Sequence, residues 1–184
     1  MSSAYVFLAD GFEEVEALTT VDLLRRADID VKTVSISDSL TLRGRSKIEV
    51  IADMMWDEAK PDAVDMLILP GGMPGTTYLM NHKGLGKALK KAAEEGRFVA
   101  AICAAPTVLG ALGLLKGKKA TCYPGMESQL GGAEIVLDKE AVRDDKVITS
   151  RGAGTSAAFA LKLIKALEGE DRARAVAREI VYKA

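Results

Sequence analysis

The sequence predicts an α/β fold in which a mostly parallel sheet is covered by helices on both faces, a three-layer sandwich. Three observations point there. Short β-branched, apolar runs alternate with longer helical stretches along the whole chain. Two of these runs, Met66-Leu67-Ile68-Leu69 and Phe98–Ile102, are apolar without interruption, as strands buried on both faces must be. Glycines gather just after strand-like runs, at Gly11, at Gly71-Gly72 and at Gly152 and Gly154, where a parallel sheet turns at its carboxyl edge.

Taken in order, Tyr5–Ala9 reads as a strand and Glu13–Ala27 as a helix with acids in its first turn. Val31–Ile36 is a second strand. Ile48–Ala52 pairs with Thr41–Leu42 in an antiparallel annex, and Met54-Met55-Trp56 reads as apolar cover for it. Val64–Leu69 is a central strand that stops at Pro70-Gly71-Gly72. Gly84–Glu95 is helical, with Gly96 as its C-terminal stop. Phe98–Ile102 is a buried strand running straight into a helix that ends near Leu112. Val147–Ser150 is a short strand, and Ser156–Leu167 and Arg172–Tyr182 are closing helices. No repeat, linker or low-complexity segment divides the chain, so residues 1–184 read as one domain.

Composition narrows the chemistry. The 184 residues carry 25 basic and 26 acidic side chains, a net charge of -1, which gives no positive field for a nucleic-acid partner. Arg43, Arg45 and Lys47 form a basic cluster that reads as a solvated loop rather than an anion site. One histidine and two cysteines are too few for a zinc site of the usual kind or for a disulfide scaffold, so no metal is expected. The amino-terminal residues lack a basic stretch, and their apolar run stops at Asp10, which is not the pattern of a signal peptide. With no run long enough to span a membrane, the expectation is a cytoplasmic protein with reduced thiols.

Four residues stand out for reactivity. Cys103 falls where a buried strand turns into a helix, followed by Ala104, Ala105 and Pro106. Such an elbow lifts a side chain out of the sheet, and a helix N-terminus favours thiolate and lowers the thiol pKa. The alternative for Cys103 is a small buried hydrophobe, and Cys122 reads as that. Gly72, after the central strand, offers a backbone N–H that can join that of Ala104 as an oxyanion hole. Glu16 lies on a helix surrounded by apolar residues, Val15, Ala17, Leu18, Val21, Leu23 and Leu24 among them. A carboxyl so placed has a raised pKa and can act as proton donor or acceptor, and part of that helix can meet a second subunit. His82, in Met80-Asn81-His82-Lys83, reads as an exposed loop residue away from the strand ends.

The ordered set Asp10-Gly11-Phe12-Glu13-Glu14-Val15-Glu16, Val21-Asp22-Leu23-Leu24-Arg25-Arg26, Leu69-Pro70-Gly71-Gly72, Ala101-Ile102-Cys103-Ala104-Ala105-Pro106-Thr107 and Thr149–Ser156 resembles the DJ-one/ThiJ/PfpI superfamily over nearly the full chain. It looks closest to the parkinsonism-associated protein deglycase branch. The resemblance implies a flavodoxin-like sandwich of the class I glutamine amidotransferase-like type and a homodimer built partly through the first helix. It implies a nucleophilic cysteine at Cys103, a protonated glutamate at Glu16 bonded to the sulfur, and backbone donors at Gly72 and Ala104. The implied activity needs no cofactor. It acts on reactive dicarbonyls or their protein adducts, with Cys103 oxidation in a stress sensor or redox chaperone as the alternative, and a protease or amidase as a third. Two departures bear on the choice. Protease-like members carry a histidine directly after the cysteine, where this chain has Ala104. Deglycase-branch members often place one where this chain has Tyr123, which donates a hydrogen bond but, with a pKa near ~10, is a poor base. Arg151 and Tyr123 are the expected supporting residues around the thiol.

Overall fold

The computed structural model describes residues 1–183. In chain order its elements are β1 (Ser3–Leu8), α1 (Glu14–Arg26), β2 (Asp30–Ser35), β3 (Thr41–Arg43), β4 (Glu49–Ile51), β5 (Met54–Met55), β6 (Met66–Leu69), α2 (Gly75–Asn81), α3 (Lys83–Glu94), β7 (Phe98–Ile102), α4 (Pro106–Ala111), β8 (Lys119–Ala120), β9 (Glu134–Ile135), β10 (Ala141–Asp144), β11 (Val147–Ser150), α5 (Ser156–Glu168) and α6 (Glu170–Glu179). Seven strands form the central sheet in the order β10-β11-β7-β6-β1-β2-β5. All neighbours run parallel except the edge strand β10, which pairs antiparallel with β11.

The alternation of side chains across a strand divides the interior into two cores. Val6 and Leu8 of β1, Met66 and Ile68 of β6, and Ala100 and Ile102 of β7 face one layer, made of α1, α5 and α6. Phe7, Leu67, Leu69, Val99 and Ala101 face the other, with α2, α3 and α4. Both faces of β6 and β7 are therefore buried, which is why those strands read as unbroken apolar runs.

Chain order reverses direction across the sheet at β1, whose neighbours are β2 and β6. In such sheets a ligand crevice opens at the carboxyl ends beside the reversal. The turns after β1 and β6 flank that crevice, and the turn after β7 lies next to them.

The annex pairs as the sequence indicates, with Thr41 opposite Ile51 and Arg43 opposite Glu49. Its proposed cover does not. Met54–Met55 is β5, an edge strand of the main sheet parallel to β2, and Trp56 packs its ring on Phe7 at 5.9 Å. Two apolar residues too short to show a period are recruited by an open sheet edge. His82 is likewise not a free loop residue. It caps α3, with Nδ1 accepting from the Leu85 N–H at 3.0 Å, and its ring meets Trp56 edge-on at 4.5 Å.

Candidate functional site

Cys103 follows the last residue of β7 and takes a left-handed backbone, φ +65°. A side-chain-bearing residue in that region is held there by its surroundings. The surroundings here are two backbone hydrogen bonds: Cys103 N–H donates to Ser150 O at the end of β11 (3.0 Å), and Tyr123 N–H donates to Cys103 O (2.8 Å). The thiol is thus lifted from the sheet as the elbow pattern indicates, and it remains partly accessible. Its helix begins only at Pro106, three residues on, so the N–H groups that reach the sulfur are those of Ala104 and of Gly72 across the crevice.

Glu16 comes from the opposite wall. It projects from the first turn of α1, is 1% exposed, and its Oε2 accepts the Gly71 N–H at 2.8 Å. Its Oε1 is buried with no hydrogen-bond partner, and the carboxyl lies beside Cys103, close enough for each to act on the other's protonation. Gly71 makes this approach possible. A Cβ there would lie 2.6 Å from Cys103 Cβ and 2.8 Å from Glu16 Oε2. Gly72 takes φ +91°, and a Cβ on it would strike the Glu13 backbone nitrogen at 2.4 Å. The Glu13 N–H in turn donates to Gly71 O at 2.9 Å, so the start of α1 is fastened to the turn after β6.

Burial dominates the electrostatics. Desolvation raises the Glu16 pKa from 4.5 to about 7, against the lowering effects of its hydrogen bonds to Cys103 and Gly71. The charge of Glu13 pushes it further up, and that of Arg45 pulls it down. Arg45 reaches Glu13 at 3.2 Å, and its backbone N–H donates to Phe12 O. The expectation of a lowered thiol pKa is overturned. Burial first, then the charge and hydrogen bond of Glu16, push Cys103 up to about 12, while the N–H groups of Ala104 and Gly72 pull the other way. A helix dipole acts within the first turn only, and this thiol sits two intervening residues before the helix, in a desolvated crevice.

The structure therefore brings together Cys103, Glu16, Gly72 and Ala104. Tyr123 joins them through its backbone, and its ring, half exposed, rests against Gly152. Arg151 is turned away, its guanidinium donating to Leu137 O at 2.7 Å, and its charge is felt at Cys122 rather than at Cys103. Cys122 is 1% exposed and packs in the core opposite the one that Cys103 contacts. Arg43, Arg45 and Lys47 are exposed on the annex loop, which closes over the start of α1: Glu14 Oε1 accepts the Ser46 N–H at 2.8 Å. Sequence reasoning singled out the glycine doublet but missed the bond from Gly71 to Glu16, and it missed Ser150 and the Glu13–Arg45 pair. The glycine doublet was the available signal for Gly71. The other two are contacts between segments far apart in sequence. Among the described residues no three or more His, Cys, Asp or Glu side chains group to hold a metal ion, and no helix is long and apolar enough to cross a membrane.

Residues 2–166 match the model of the DJ-1/PfpI family. A Danio rerio protein named Parkinson disease protein 7 homolog is 35% identical over 185 residues, covering 98% of this chain and 97% of that one. A Caenorhabditis elegans protein named as a glutathione-independent glyoxalase is 32% identical over 180 residues, covering 97% of this chain and 95% of the relative. The chain spans only 40% of the length of Arabidopsis thaliana DJ-1 homolog B, to which it is 37% identical over 177 residues. Among solved structures, oxidized Toxoplasma gondii DJ-1 superposes with a TM-score of 0.94 at 32% identity, covering 100% of both chains.

Proposed function

The chain belongs to the DJ-1/PfpI family, and from that premise we propose that it is a cofactor-independent cysteine enzyme acting on reactive dicarbonyls such as methylglyoxal, or on their early adducts with protein thiols and amines. The observation that carries this reading is the meeting of Cys103 with the buried carboxyl of Glu16, whose pKa of about 7 suits a base and acid at neutral pH. The glyoxalase name of the Caenorhabditis elegans relative agrees with it.

The atoms balance without an external oxidant. Sulfur adds to the aldehyde carbon as Glu16 takes the thiol proton, and the N–H groups of Gly72 and Ala104 hold the developing oxyanion. Glu16 hands that proton to the oxyanion, which completes the hemithioacetal and restores the carboxylate. The hemithioacetal carbon then loses its proton to Glu16, which returns it to the neighbouring carbon as the hydroxyl proton passes to that carbon's oxygen, so the first carbon is oxidised while the second is reduced. Water hydrolyses the resulting thioester, releasing lactate and the free thiol. Lactate release from methylglyoxal without glutathione, compared among wild type, Cys103→Ala and Glu16→Gln, tests the scheme. Loss of activity in both variants is expected. Equal rates in all three would remove it.

A second reading has its own support. Cys103 is partly accessible, Cys122 lies in the other core, and the Toxoplasma gondii structure is described as oxidized. With no thiol on the same side to form a disulfide, peroxide would carry Cys103 from sulfenic to sulfinic acid, as a stress sensor requires. Gain of two oxygens at Cys103 under mild peroxide, with no carbonyl turnover, would favour this reading over the first.

We also propose a cytoplasmic homodimer. Val15 and Leu18 on α1 and Ile48 and Ile51 on the annex expose 51%, 39%, 54% and 73% of their surface, and the annex loop lies on the start of α1. Such a patch suits a two-fold contact between copies. Sedimentation of wild type against Val15→Glu/Ile51→Glu distinguishes a dimer from a monomer.

A further inference from the structure

A groove of about 250 Å³ runs between α5 and α6, far in sequence from the residues described above. Ala158, Leu161, Ala173, Ala177 and Tyr182 line it together with the charged side chains of Lys162, Lys165, Glu170 and Arg174. Lys162 is half-buried. The charged groups around it are Lys165, Lys139 and Arg143, all cationic, and a single acid, Glu170. That acid is already engaged: Lys165 Nζ contacts one carboxylate oxygen, and Arg174 Nε reaches the other at 3.2 Å. The Tyr182 hydroxyl donates to Glu140 at 3.1 Å. Among the described residues Lys162 has no carboxylate within ion-pair distance.

We propose that this groove is a second carbonyl-reactive site, in which the Lys162 amine forms a Schiff base with aldehydes that carry an apolar chain. Desolvation in an apolar groove and cationic neighbours are the two devices that turn a lysine into a nucleophile, because each disfavours the ammonium form. Both act on Lys162, whose amine is held below the usual lysine range, by burial first and then by Lys165, Lys139 and Arg143. The amine lone pair attacks the carbonyl carbon, a C–N bond forms, and proton transfer to oxygen gives the carbinolamine. Loss of water gives the imine, with no change in oxidation state overall. The alanine and leucine side chains would receive the chain of the aldehyde.

The test uses the full chain at pH 7 with nonanal or acetaldehyde and cyanoborohydride to trap imines, followed by peptide mapping. Lys162 should be labelled by nonanal about tenfold faster than the exposed Lys83 and Lys90, because burial and the neighbouring cations favour its neutral amine. The preference should be weaker for acetaldehyde. Lys162→Arg should lose the fast labelling while keeping the thermal transition, and Cys103→Ala should keep the labelling. Labelling of Lys162 no faster than that of Lys83, or equal selectivity with both aldehydes, overturns the proposal. Because the mapping reads wild type directly, it decides even where the Arg variant folds poorly.

Discussion

Replacing Glu16 with Gln should change how stability depends on pH, by an amount the structure sets. In the folded chain this carboxyl titrates at about 7, against 4.5 when unfolded, because it is 1% exposed. Below pH 4.5 both states hold the proton, and it contributes no slope. Between pH 4.5 and about 7 the folded state keeps a proton that the unfolded chain has released, so stability falls as pH rises. Above that window both states are ionised and the whole loss is in force. At about 1.4 kcal/mol per pH unit the interval is worth roughly 3 kcal/mol. Gln is neutral throughout and can still accept the Gly71 N–H. The stability of Glu16→Gln relative to wild type should therefore rise by about 3 kcal/mol from pH 4.5 to pH 8, whatever its absolute value. Urea unfolding under reducing conditions across that range measures the difference, in which the other titrating groups cancel. A difference that stays constant within about 1 kcal/mol would show that Glu16 does not hold its proton to neutral pH.

Gly71→Ala puts a methyl group within 3 Å of both Cys103 Cβ and Glu16 Oε2 and should cost about 1–3 kcal/mol, with a loss of Cys103 alkylation rate that Gly86→Ala, whose methyl would meet only Leu112 at 3.5 Å, does not share. Arg45→Ala removes a charge that holds Glu16 down, so the pH midpoint of Cys103 alkylation should move up, by less than about one unit, while Glu13→Gln should move it down. His82→Ala removes the cap on α3 and the ring edge against the only tryptophan, costing about 1 kcal/mol and changing Trp56 fluorescence. Burial holds the His82 pKa below 6.5, so in wild type this contribution is present above pH 6.5 and lost as pH falls through the folded value, where Nδ1 gains a proton and no longer accepts.

Where a segment's burial follows from its own side chains, the sequence was sufficient. β6 and β7 were legible because unbroken apolar runs fit only a sheet covered on both faces, and the Cys103 elbow because Ala104, Ala105 and Pro106 mark an abrupt change from strand to helix. β5, β8 and β9 were not, since each has two residues and exists only because a neighbouring strand offers it hydrogen bonds. α2 was missed for the opposite reason: Gly75, Thr76 and Thr77 have poor helix propensity, and packing overrides it. At the site, Glu16 and Gly72 were legible as residues of the right kind in the right loops. That Gly71 ties Glu16 to the thiol was not, because donor and acceptor are 55 positions apart. The thiol pKa misled for a related reason. A dipole can be read from local sequence, whereas burial depends on what the rest of the chain packs around the site.

The pKa of Cys103 and the scarcity of histidine point to the same chemistry. After burial, what raises that thiol is the negative charge of Glu16, and that part acts only while Glu16 is ionised. A proton passing from sulfur to carboxylate removes the charge and converts the repelling group into a hydrogen-bond donor to the thiolate. The pair therefore carries one negative charge, on oxygen or on sulfur, and the N–H groups of Gly72 and Ala104 favour sulfur. When sulfur adds to a carbonyl, the charge moves to the new oxyanion, which the same two donors are placed to follow. Peptide hydrolysis asks for more: an acid must protonate a departing amine, and the single histidine, His82, is committed to capping α3 next to Trp56. Addition to an aldehyde has no leaving group to protonate. One thiol, one carboxyl and two backbone donors suit that addition.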